Sequence, residues 1–119
     1  MNRYLLTGAV ILACICIIIS IAYACVYLYI DAEYEEYVGV GDPVYIYAWV
    51  SSGGPVTSWD WDWPSGFYNV DSDDDDYDSN WEGTCDTAGK YTIEVEATGP
   101  NGQDDDETVV YVVEVSLNP

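Results

Sequence analysis

The chain has 119 residues, 50% of them hydrophobic, a net charge of -20 and no histidine. That length holds one small domain with a single core, and the missing imidazole excludes His-ligated zinc or haem and every His-containing catalytic triad. All 22 acidic residues lie from Asp31 onward, where Lys90 is the one cation, so this part carries 22 minus 1 negative charges and repels nucleic acid and anionic lipid.

Residues 4–30 carry no charge; Arg3 and the α-amino group precede them, and Asp31, Glu33, Glu35 and Glu36 follow. A positive start and an acidic finish orient the chain outward and predict an extracellular or cell-surface domain. Residues 1–24 are expected to form a hydrophobic helix. It is either a signal peptide ending at the small-x-small pattern Ala22-Tyr23-Ala24 or an uncleaved anchor, the chain's only attachment to a membrane. Val26, Leu28 and Ile30 alternate with Tyr27 and Tyr29, a pattern that predicts the first strand of a domain over residues 25–119. The same residues cannot be in a sheet and in lipid together. Cys14 and Cys16 lie inside the apolar run, so the four cysteines make no zinc or disulfide framework. Cys25 follows the cleavage pattern without the leucine of a lipobox.

Gly39, Gly41, Asp42 and Pro43 mark a turn, after which Val44, Ile46, Ala48 and Val50 alternate with Tyr45, Tyr47 and Trp49. Residues 51–55 read as a loop. Residues 56–63 read as a strand with Trp59, Trp61 and Trp63 on one face and Asp60 and Asp62 on the other. A Pro64-Ser65-Gly66 turn leads to a short strand at 67–70, and residues 71–78 are charged enough to read as a loop. Residues 80–85 form the next strand. Beyond a turn, Tyr91, Ile93, Val95 and Ala97 make an inner face, with Thr92, Glu94, Glu96 and Thr98 outside. Residues 99–106 read as a second acidic loop, and 108–117 as a last strand with Val109, Tyr111, Val113 and Val115 in phase. About seven strands, with no helical period after the N-terminus, predict an all-β Greek-key sandwich.

Gly41-Asp42-Pro43-Val44, Trp61-Asp62-Trp63-Pro64-Ser65-Gly66 and Ala88-Gly89-Lys90-Tyr91-Thr92-Ile93 together resemble the polycystic kidney disease (PKD) domain and its bacterial and archaeal immunoglobulin-like relatives. That family typically has Trp-Asp-Phe-Gly-Asp-Gly and Gly-x-Tyr-x-Val at the second and third of these places, so Pro64 and Ser65 depart from its pattern. The resemblance covers roughly residues 26–116. It implies an immunoglobulin-like sandwich in which Trp61 is the central core tryptophan, and Tyr91, after Gly89, is the corner tyrosine that ties a turn to a strand. It also implies a non-catalytic extracellular module serving as spacer, adhesion unit or accessory domain.

In that topology the 51–55, 71–78 and 99–106 segments emerge at one end. Asp71, Asp73, Asp74, Asp75, Asp76 and Asp78 would then meet Asp104, Asp105 and Asp106, offering the hard oxygen ligands that Ca²⁺ takes, against the plainer reading of solvated acidic loops. Asp71, Asp73, Asp75, Ser79 and Glu82 also fall in EF-hand register, but Asp76 stands where that loop needs glycine and no helices flank it. Tyr45, Tyr47 and Trp49 form an outer stripe suited to stacking on a ligand such as a sugar, or to packing by a neighbouring strand or subunit. Cys25 and Cys85 are expected at opposite ends of the sandwich, too far apart to bridge, with Cys85 a partly buried thiol.

These features point to a binding, adhesion or structural module with a protein or carbohydrate partner at the cell surface. A second reading is a filament subunit, pilin-like, whose uncleaved N-terminal helix continues through Ile30. A third is a carboxylate enzyme using a pair such as Asp74 and Asp105.

Overall fold

The computed structural model describes residues 27–115. They form eight strands: β1 (Tyr29–Tyr34), β2 (Tyr37–Gly39), β3 (Pro43–Ser52), β4 (Ser58–Asp62), β5 (Phe67–Asp74), β6 (Asp78–Cys85), β7 (Gly89–Gly99) and β8 (Gly102–Val113). Two four-stranded sheets have the orders β1-β3-β6-β5 and β2-β8-β7-β4. All pairs are antiparallel except β2 with β8. This is the strand order of an immunoglobulin-like sandwich with one short strand added beside the last.

Alternation builds the core. Val44, Ile46 and Ala48 of β3 face Ile93, Val95 and Ala97 of β7, all buried. Trp81 of β6, 1% exposed, fills the centre between Trp61, Trp63 and Phe67. Truncating a ring so enclosed costs about 3–5 kcal/mol. A Cβ on Gly83 would stand 2.7 Å from the Trp81 ring, which explains the glycine two residues along the same face.

Several expectations need correction. The first strand is β1, starting at Tyr29 and running on through Asp31 and Glu33, because those two carboxylates face outward while Ile30 and Ala32 face in. Ile30 lies in β1 and Leu28 is buried just before it, so the helix that the filament reading carries through Ile30 does not form there. The signal-peptide or anchor reading of residues 1–24, and Cys25, lie outside the described residues. β2 is an element the sequence reading did not place, ending at the Gly39 of the turn; its Val38 is buried and pairs with Val112.

The 71–78 and 99–106 segments are mostly strand. β5 runs to Asp74 and pairs with β6 through Asp74↔Ser79, leaving a turn at 75–77. β7 and β8 pair all the way to Gly99↔Gly102, where Gly102 takes φ +131°, so Asp104, Asp105 and Asp106 belong to β8. Backbone pairing holds aspartates in strands where intrinsic propensity alone disfavours them.

The inner face of β8 is Thr108, Val110 and Val112, the opposite phase from the one expected. Register decides it: Thr108 opposes Ile93 and Val110 opposes Tyr91, so these share the core side. The Thr108 hydroxyl donates to Ile93 O at 3.0 Å, which satisfies a polar group in the core. Trp59 and Trp61 face in, but Trp63 is 39% exposed. The fully buried tryptophan is Trp81, and Trp61 is half-buried beside it.

Candidate functional site

The outer face of the β1-β3-β6-β5 sheet is built in rows by its register. Asp71, Glu82 and Tyr45 lie side by side on β5, β6 and β3; Asp73, Asn80, Tyr47 and Glu33 make the next row, and Asp78, Trp49 and Asp31 the third. β3 therefore carries an aromatic spine down the middle of an open sheet, with carboxylates on both sides. The Tyr47 and Trp49 rings stack with centroids 5.6 Å apart and planes 22° from parallel. Tyr45 is 61% exposed.

A groove of about 530 Å³ opens over this face, walled by Tyr34, Tyr45 and Tyr47 and by Glu33, Glu35, Asp71, Asp73 and Glu82. The Tyr47 hydroxyl donates to an Asp78 carboxylate oxygen at 3.2 Å. Desolvation of the phenol, that hydrogen bond, and the charges of Asp78 and Glu33 hold Tyr47 above the usual tyrosine pKa. Among the described residues no lysine or arginine lies on this face, since Lys90 is on β7.

The opposite outer face has a different character. Asp60, Glu96 and Asp105 oppose one another across β4, β7 and β8, and Asp62, Glu94 and Glu107 form the adjoining row. Like charges directly opposite are destabilising in a sheet. A hydrogen bond to Glu107, followed by desolvation and by the charges of Glu107, Asp62 and Asp105, pushes the Glu94 carboxyl above its ordinary pKa. Further along the same face Tyr37 stacks on Tyr111 at 5.3 Å, and Tyr111 pairs with Lys90.

The turns expected at one end do meet. Asn101 Nδ2 donates to Gly53 O at 3.1 Å, Val50 N to Tyr77 O at 2.9 Å, and Val56 N to Asp76 O at 2.8 Å. The nine aspartates put forward for Ca²⁺ do not gather there. Asp71 and Asp73 face outward on β5, whereas Asp105 joins the rows of the other sheet. Asp74 accepts from Ser79 Oγ at 2.6 Å, Asp78 from Tyr47, and Asp104 from Ile30 N at 2.9 Å. Asp75 and Asp106 each accept from the next backbone N–H, of Asp76 and Glu107. Among the described residues no three acidic or Cys side chains are placed to hold a metal ion. Asp74 and Asp105 stand on different sheets.

The structural residues tie the sheets and turns together. Trp59 Nε1 donates to Asp75 O at 2.7 Å, and Trp61 Nε1 to Ser79 Oγ at 2.8 Å, which in turn donates to Asp74, so two β4 tryptophans reach across to the 75–77 turn and to β6. The Tyr91 hydroxyl donates to Thr87 O at 2.7 Å, four residues back, and the ring lies over Gly89, whose Cβ would meet it at 3.4 Å. Cys85, expected to be partly buried, is fully so, its thiol 3.4 Å from Thr87 O.

No family model and no curated protein matches the chain. Among solved structures it is similar to a chimeric titin Z1Z2 functionalized with a KLER exogenous peptide from decorin, with a TM-score of 0.55 and 15% identity over 74% of this chain and 98% of that one. The chain has the immunoglobulin-like fold. In this immunoglobulin-like sandwich, the residues that sequence reasoning passed over are the flanking carboxylates Asp31, Glu33, Glu35 and Glu82. Their signal was present as the strand phase shared with Tyr45 and Tyr47, once β1 is carried past Asp31. Trp81 was legible too, since Ser79, Trp81, Gly83 and Cys85 alternate with polar residues.

Proposed function

We propose that this chain is a non-catalytic, PKD-like module displayed outside the cell, which binds its partner through the outer face of the β1-β3-β6-β5 sheet. The observation that carries this reading is the spine of exposed Tyr45 and Tyr47 and half-buried Trp49 in the middle of a sheet, flanked by carboxylates. Large aromatics standing clear of a core are the side chains that supply most energy when a surface is covered. The PKD-like assignment is supported by the Gly89-x-Tyr91 corner with its bond to Thr87 and by Trp61 packed beside the core. Export is supported by the uncharged N-terminal run and the acidity that follows it.

The test is attachment of the fluorescently labelled full chain to source cells. Replacing Tyr45 and Tyr47 by Ala should abolish binding, whereas replacing the stacked pair Tyr37 and Tyr111 on the other sheet should leave it. Equal loss from both pairs, or none from either, removes this face as the ligand surface. Protease added to intact cells should digest the domain if it is displayed outside.

A further inference from the structure

The proposed ligand face has a repeat as well as a charge. Tyr45, Tyr47 and Trp49 are two residues apart on one strand, so their Cα atoms recur about every 6.6–6.8 Å, with the Tyr47 and Trp49 rings drawn together to 5.6 Å. The carboxylates beside them follow the same face: Glu33 and Asp31 on β1 at that interval, and Glu82 and Asp78 on β6 at twice it, with Asn80 between them. An extended peptide laid along β3 presents alternate side chains at that same spacing.

We propose that this groove holds an extended basic peptide with arginines at alternate positions, each guanidinium stacked on the aromatic spine and forked to a flanking carboxylate. This rests on the reading of the face as the ligand surface. Charge complementarity selects the partner: five carboxylates wall the groove, and no described cation lies on the face. Arginine fits better than lysine because its planar cation both stacks on a ring and meets a carboxylate through two parallel hydrogen bonds. A neutral sugar would stack on the rings and donate hydroxyl hydrogen bonds to the carboxylates, but it would not balance their charge.

The molecule supplies its own control, because the rows of Asp60, Glu96 and Asp105 and of Asp62, Glu94 and Glu107 hold as much charge with no aromatic among them. The experiment measures binding of the full chain in nonionic detergent to an alternating Arg-Ser octapeptide. The comparison probes are an octapeptide of the same composition with its arginines contiguous, and the neutral sugar cellohexaose. The alternating peptide should bind about tenfold tighter than the contiguous one, a gap on the scale of one desolvated cation–π contact. Both Tyr45→Ala with Tyr47→Ala and Asp71→Asn with Glu82→Gln should remove about tenfold, while Glu94→Gln with Asp105→Asn stays within about twofold. Equal affinity for the two peptides, or equal loss on neutralising the other face, reduces the effect to general attraction by a polyanion and overturns the proposal. Tighter binding of cellohexaose, lost with the two tyrosines, overturns the cationic partner but keeps the ligand face. Cell attachment that is indifferent to those tyrosines overturns both.

Discussion

Glu94 and Glu107 stand directly opposite each other on β7 and β8, with Asp62 completing their row on β4. Two carboxylates so placed share a proton more readily than they carry two charges.

The first prediction follows from that pair. Glu94 has its pKa raised in the folded protein, so the fold binds this proton more tightly than the unfolded chain does. Its contribution to stability is fully present below the ordinary carboxylate pKa and is lost as pH rises through the raised value. Glu94→Gln should therefore raise Tm at neutral pH and flatten the gain in Tm that wild type shows on mild acidification. Parallel Tm-against-pH curves for the two proteins would contradict this.

The acidic residues are spread over two outer faces, so cations should stabilise the fold by screening. The Debye length falls from about 10 Å at 0.1 M salt to about 3 Å at 1 M, shorter than the roughly 4.8 Å between neighbouring strands. Melts in rising NaCl should show Tm climbing, and Ca²⁺ and Mg²⁺ at equal ionic strength should act alike. A Ca²⁺-selective rise that vanishes when residues 73–76 become Asn would establish a metal site among those aspartates instead.

Ser79 is buried between two partners, accepting from Trp61 Nε1 and donating to Asp74. Ser79→Ala leaves the indole N–H without an acceptor and should cost about 1–3 kcal/mol in chemical denaturation. Asp74→Asn keeps an acceptor for the hydroxyl and should cost less. Equal losses would show that the carboxylate, not the serine, carries the tie.

Gly83→Ala drives a methyl group against the Trp81 ring and should destabilise by about 1–3 kcal/mol. Trp81→Ala should cost about 3–5 kcal/mol, while Trp63→Ala, half in solvent, costs clearly less. A ranking that put Trp63 above Trp81 would displace Trp81 from the centre of the core.

Fold class was legible because β3, β6 and β7 alternate cleanly: one phase is apolar, the other polar or aromatic, and burial follows the apolar phase. β8 was not legible in the same way. Val109, Val110, Val112 and Val113 are apolar in both phases, so only the pairing of Thr108 with Ile93 decides which set is core. The acidic strand ends failed for a related reason. Aspartate composition argues for loop, but an outward strand position asks only that a side chain be solvated, and the partner strand supplies the hydrogen bonds.

By itself the amino-acid sequence determined an acidic, all-β, immunoglobulin-like domain without histidine chemistry, because alternation and charge are local properties of the chain. The tyrosine and tryptophan spine of β3 could be read there as well. Only the tertiary structure decided what surrounds it, since neighbours across a sheet are set by register between strands far apart in sequence. That register put Glu33, Glu82 and Asp71 beside Tyr45 and Tyr47, and sent Asp105 to the other face.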